Sequence, residues 1–101
     1  MKKKSVLLSK RDIARVLKQN NLWQVNAAGT TLYRTFKFED YIQALVFIAR
    51  MSVHAEVLKH HPDIEFSYAK VKVKLTTHAL KGLTKVDIAL LERIAKLYDG
   101  E

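Results

Sequence analysis

Residues 68–75 read Tyr-Ala-Lys-Val-Lys-Val-Lys-Leu, and this alternation constrains the chain more than any other segment. An extended strand turns successive side chains to opposite faces, so Val71, Val73 and Leu75 share one face and Lys70, Lys72 and Lys74 the other. One face needs an apolar cover while the other stays wet, the habit of an antiparallel sheet. That cover must come from the rest of 101 residues, a length that suits one domain burying about two-thirds of its unfolded surface.

Helix signals supply the cover. Ser9-Lys10-Arg11-Asp12 is a capping box, followed by Ile13, Val16 and Leu17 at helical spacing, and Asn20-Asn21 closes a short helix. Trp23–Ala28 and Thr31–Phe38 are expected to be strands joined across Ala28-Gly29-Thr30. A long helix opens at Phe38-Glu39-Asp40 and runs to about Lys59, stopping before Pro62, which disfavours helical geometry in the residue preceding it. Its first half, Tyr41 to Ala49, is apolar almost all round, so it is buried on several sides or lies in a subunit contact. Ile64–Tyr68 gives a third strand and Tyr68–Leu75 the fourth. A second capping box, Thr84-Lys85-Val86-Asp87, opens a last helix carrying Ile88, Leu91, Ile94, Ala95 and Tyr98 and ended by Gly100. The expected fold is α+β: a single domain in the order α-β-β-α-β-β-α, with a four-stranded antiparallel sheet and three helices on one face. Residues 1–8 are expected to be a basic tail and residues 9–101 the domain.

Composition narrows the function classes. Met1-Lys2-Lys3-Lys4 looks like the start of a secretory leader, but only Val6-Leu7-Leu8 follows before Lys10, too short for its apolar core. No stretch reaches the roughly 18 apolar residues of a membrane span, so no membrane partner is expected. There is no cysteine, hence no thiolate nucleophile or disulfide, which suits the cytoplasm. Lysine and arginine total 18 against 10 acids, a net charge of +8. The charges are scattered and lack the basic-aromatic interleaving of a single-strand binder, so any nucleic-acid binding is expected to be weak and non-specific.

The chemistry concentrates in histidine. His60 and His61 end the long helix beside Pro62, and His78 follows the alternating strand. Imidazole is suited to exchanging protons near neutral pH, and the ends of rigid elements hold such groups firmly yet accessibly. Glu56 lies four residues before His60 and is expected to orient it. Asp87 is accounted for by capping and Trp23 by core packing. Adjacent His60 and His61 on a helix would point about 100° apart, so no metal is expected.

Glu56-Val57-Leu58-Lys59-His60-His61-Pro62, then Tyr68, Thr76-Thr77-His78, Gly82-Leu83-Thr84 and Asp87, resemble the pterin-4a-carbinolamine dehydratase family. Trp23 and the Phe36-to-Tyr41 run resemble that family's lead-in to its long helix. The resemblance spans roughly residues 9 to 98 and rests on several spaced motifs together. It implies dehydration of 4a-hydroxytetrahydropterin to quinonoid dihydropterin, with no cofactor, by a homodimer or homotetramer. It further implies catalytic roles for His60, His61 and His78, and pterin contacts from Lys59–His61 and from Thr76, Thr77, His78 and Ala79. On this reading His60 and His78 share the acid and base work and His61 binds and polarises the pterin. Ala79 departs from the acidic residue usual in the family, and Ala69 from an asparagine. The competing class is a non-catalytic binding or regulatory module on the same fold.

Overall fold

The computed structural model describes residues 6–100; residues 1–5 of the expected tail lie outside them. The order is α1 (Lys10–Gln19), β1 (Gln24–Val25), β2 (Leu32–Lys37), α2 (Tyr41–Leu58), β3 (Asp63–Ser67), β4 (Lys70–Leu75), a 3-10 turn (His78–Leu80) and α3 (Lys85–Tyr98). This is the α-β-β-α-β-β-α arrangement, with an antiparallel sheet in the order β1-β2-β4-β3. Ahead of α1, the Leu8 N–H donates to the Leu83 carbonyl at 2.8 Å, and Leu8 packs against the core.

The alternating segment behaves as its chemistry dictates. Val71, Val73 and Leu75 are fully buried and meet Leu32, Phe36, Leu90, Leu91 and Ile94 in one core. Burying an aliphatic side chain of this kind contributes about 1.5–3 kcal/mol. On the wet face, Lys74 bonds Glu65 at 2.6 Å and Lys72 sits over the Tyr33 ring at 5.1 Å. Trp23, 3% exposed, packs edge-on against Phe36 with centroids 5.8 Å apart.

Two boundaries differ from expectation. The first strand is only Gln24–Val25, because the Asn26 side chain accepts from the N–H groups of Thr30 and Thr31 at 2.8 and 3.1 Å. Those local bonds replace ladder bonds, so the connection spans residues 26–31, with Gly29 at φ +72°. The long helix ends at Leu58, because Lys59 adopts left-handed backbone and its N–H turns back to Ala55 and Glu56. Helical spacing therefore does not extend to His60 and His61, and neither does the angle of about 100° expected between them.

The faces of α2 divide sharply. Ala44, Phe47, Met51 and Ala55 are buried, whereas Ile42, Leu45, Val46, Val53 and Val57 are exposed on the opposite side. At 18 residues this helix has the length and apolar composition of a membrane span, closer to that limit than its sequence suggested. Its buried stripe and the interrupting Arg50, His54 and Glu56 identify it as a core helix with one uncovered face.

Candidate functional site

Each histidine after α2 meets a carboxylate through Nε2. His60 pairs with Asp87 Oδ1 at 2.5 Å, His61 with Glu56 Oε2 at 2.6 Å and His78 with Asp63 Oδ2 at 3.1 Å. Chain neighbours of these residues bring the three together. Asp87 also accepts from Thr77, the residue before His78, while Asp63, two residues after His61, holds His78. The C-terminal end of α2, the start of β3, the 3-10 turn after β4 and the first turn of α3 thus converge on one patch.

The pairs differ in surroundings. Asp87 is fully buried and the His60 side chain is 15% exposed, whereas the His61–Glu56 and His78–Asp63 side chains are all more than half exposed. Asp87 Oδ2 also accepts the Thr84 N–H at 2.9 Å and the Thr77 hydroxyl at 2.8 Å. A hydroxyl has one hydrogen, so at the 2.9 Å Thr77–Thr84 contact Thr84 donates to Thr77. The buried carboxylate is therefore fully engaged, as a buried charge must be.

Two sequence expectations change here. Glu56 was expected to orient His60, but the left-handed turn at Lys59 carries His60 away and leaves the Glu56 carboxylate on His61. Asp87 was assigned to capping alone; it caps α3 and also holds His60. Its place in the spaced motif was the available signal, yet a contact across 27 residues is not written in helical periodicity. Thr76 donates to the Thr30 carbonyl at 2.6 Å, so its hydroxyl is tied to backbone. Lys59 and Ala79 are exposed beside the histidines. Among the described residues no three His, Asp or Glu side chains form a metal-binding group.

With Nε2 facing a carboxylate, each ring keeps Nδ1 as its second proton-exchanging nitrogen. The carboxylate orients the ring and fixes which nitrogen faces it. A cavity of about 730 Å³ lies away from the histidines, beside Phe38, Ile42, Val46, Arg50 and Tyr98. It has a wide apolar wall and no histidine.

The family model for "Pterin 4 alpha carbinolamine dehydratase" matches residues 6–97. A Nostoc punctiforme protein called "Putative pterin-4-alpha-carbinolamine dehydratase" is 41% identical over 91 residues, covering 90% of this chain and 96% of that one. A Prochlorococcus marinus protein of the same description is 37% identical over 94 residues, covering 93% and 97%. Among solved structures, a "transcriptional coactivator/pterin dehydratase" from Brucella melitensis superposes with a TM-score of 0.88 at 30% identity, covering 92% of this chain and 99% of that one. A pterin dehydratase-like RuBisCO assembly factor of the alpha-carboxysome shares the fold, with a TM-score of 0.66 at 22% identity over 78% of this chain and 92% of that one.

Proposed function

The chain belongs to the pterin-4a-carbinolamine dehydratase family, and from that premise we propose that it expels water from 4a-hydroxytetrahydropterin by histidine acid/base catalysis. The observation that carries this reading is the trio of histidines on one patch, each with its own carboxylate. In the reaction a base removes the N5 proton, an acid protonates the 4a-hydroxyl, the C4a–O bond breaks and an N5=C4a double bond forms as water leaves. His60 and His78 come from different elements and flank the ring as acid and base, each transfer supplying roughly 10²–10⁴-fold. Asp87 positions His60, Asp63 positions His78, and Glu56 holds His61, which binds and polarises the pterin. Lys59, Thr76, Thr77 and Ala79 line the approach, with Thr77 acting through Asp87. The chemistry draws on no cofactor.

The test is turnover of 4a-hydroxytetrahydropterin with a chelator present. His60→Ala and His78→Ala should each lose at least a hundredfold in kcat with substrate affinity largely kept, the mark of interactions used in the transition state. His61→Ala should instead raise KM. Because one ring must start protonated and another neutral, the rate should fall at both acidic and basic pH. Near wild-type turnover in both alanine variants would refute the assignment.

A second reading, a binding module on this fold, is favoured by the uncovered stripe Ile42–Val46–Val53–Val57. A folded sample that leaves the substrate untouched would select it. On the enzyme reading this stripe joins copies of the chain into a homodimer or homotetramer, and sedimentation as an 11.6 kDa monomer at micromolar concentration would exclude that. Nucleic acid binds at most weakly, since Lys72 and Lys74 are engaged by Tyr33 and Glu65; a sequence-selective complex surviving physiological salt would contradict this. We place the protein in the cytoplasm, which recovery in a membrane or secreted fraction would overturn.

A further inference from the structure

Among the described residues only two other than glycine have left-handed backbone, and both are lysines beside the histidines. Lys59 (φ 51°, ψ 42°) closes α2 one residue before His60. Lys81 (φ 54°, ψ 46°) closes the 3-10 turn that begins at His78, its N–H bonded to the His78 carbonyl at 3.1 Å. Glycine or asparagine is the usual occupant of such a position, because a Cβ there is crowded. A lysine at a helix C-terminus offsets the helix dipole, which accounts for a cation at Lys59. The three-residue turn before Lys81 has no comparable dipole, so the dipole does not account for a cation at Lys81. Backbone held in a sparsely populated region beside a site is a reasonable starting point for a functional inference.

Charge bookkeeping points the same way. The carboxylates of the patch, Asp87, Glu56 and Asp63, each face a histidine. Among the described residues neither Lys59 nor Lys81 has an ion-pair partner, and both are exposed. The patch therefore offers two unpaired cations, one on each of the two elements assigned to proton transfer. In a pterin, C6 is bonded to N5, the atom that gives up its proton. A substituent on C6 therefore starts one bond from the reacting edge and runs past whichever histidine acts as base. Lys59 is next to His60 in the chain, and Lys81 lies three residues after His78 with its N–H on the His78 carbonyl, so each lysine is within a turn of one of these histidines.

We propose that Lys59 and Lys81 are specificity residues that select pterins with an anionic C6 tail, carrying phosphate or carboxylate, over pterins with a neutral tail. The inference rests on the pterin reading of the histidines and adds the substrate class to it.

The experiment compares three 4a-carbinolamines that share a ring and differ in tail: neutral hydroxyalkyl, phosphorylated and carboxylated. The wild-type protein should show a kcat/KM about tenfold higher for the anionic tails at low ionic strength, with the advantage shrinking as salt is added. It should lie in KM rather than kcat. A preference for phosphate alone assigns the tail as phosphate; equal gains for both tails assign it as charge alone. Lys59→Asn combined with Lys81→Asn keeps residues that tolerate left-handed backbone and should bring the ratio of anionic to neutral kcat/KM to near one. Equal kcat/KM for all three tails in the wild type, or an unchanged ratio in the double variant, overturns the inference. If no carbinolamine is turned over, the dehydratase reading falls by itself. Equilibrium binding of dihydropterins with the same tails then decides this one, and equal affinities overturn it.

Discussion

The pair His60–Asp87 and the pair His78–Asp63 use the same chemical groups in opposite surroundings. The first meets at 2.5 Å with side chains 15% and 0% exposed; the second meets at 3.1 Å with side chains 71% and 58% exposed. Asp87 is held in place by the Thr77 hydroxyl and the Thr84 N–H, whereas Asp63 is an exposed residue at the start of an edge strand. Water competes for the exposed pair, and a carboxylate there can yield to a ligand with little loss. The buried pair has no such competitor, so its geometry is set before any substrate arrives. One patch thus joins a fixed histidine–carboxylate pair to an adaptable one, the two that the proposed reading uses for proton transfer.

The largest effect expected from breaking this contrast is on stability. Asp87→Ala removes the partner of His60, the acceptor for Thr77 and the cap of α3 together, and should destabilise the fold by about 3–5 kcal/mol. Thermal unfolding would show this as a fall in Tm of well over 10 °C in a domain of this size. A change of only a few degrees would make the buried pair no more important than the exposed ones.

Smaller effects should follow at the exposed pairs. Asp63→Asn and Glu56→Gln should each alter stability by less than about 1 kcal/mol, the usual scale of surface pairs. They should separate in kinetics. Asp63→Asn should lower kcat several-fold through His78, while Glu56→Gln should mainly raise KM through His61. Steady-state kinetics on both variants would check this split, and a large kcat loss from Glu56→Gln would restore Glu56 to the proton-transfer unit.

The smallest effect is at the Glu65–Lys74 pair, which bonds none of the three histidines. The hydrogen bond and then the charge of Lys74 hold the Glu65 carboxyl below its ordinary pKa, and Glu65 raises the Lys74 ammonium in the same order of causes. Its small stabilisation is therefore present at neutral pH. It is lost as pH falls through the depressed Glu65 value, and again as pH rises through the raised Lys74 value. Glu65→Gln should return the Lys74 pKa toward its ordinary value in an NMR titration and leave turnover unchanged.

How much of this was legible in the sequence depends on whether a local pattern carried it. The Lys-Val alternation gave β4 and its buried face, and the two capping boxes placed the starts of α1 and α3 at Lys10 and Lys85. Proline 62 set the limit of the long helix, although the left-handed Lys59 ends it first. The short β1 was not legible, because Asn26 bonds its own loop and competes with the ladder through a side chain rather than a pattern. The histidine positions were legible as motif spacing; their partners were not. Asp87 lies 27 residues from His60 and Asp63 lies 15 from His78, and only the folded chain brings them into contact.

Single-turnover dehydration of 4a-hydroxytetrahydropterin by the wild-type protein and by Asp87→Asn, with chelator present, probes the buried His60–Asp87 pair directly. Asparagine keeps the size of the side chain and an acceptor for the Thr84 N–H, but removes the negative charge that steadies His60. The chemical step should slow by about a hundredfold or more while substrate affinity changes little. A folded Asp87→Asn protein that turns over at the wild-type rate would contradict this, because the buried His60–Asp87 pair could not then be the fixed half of the proton-transfer machinery.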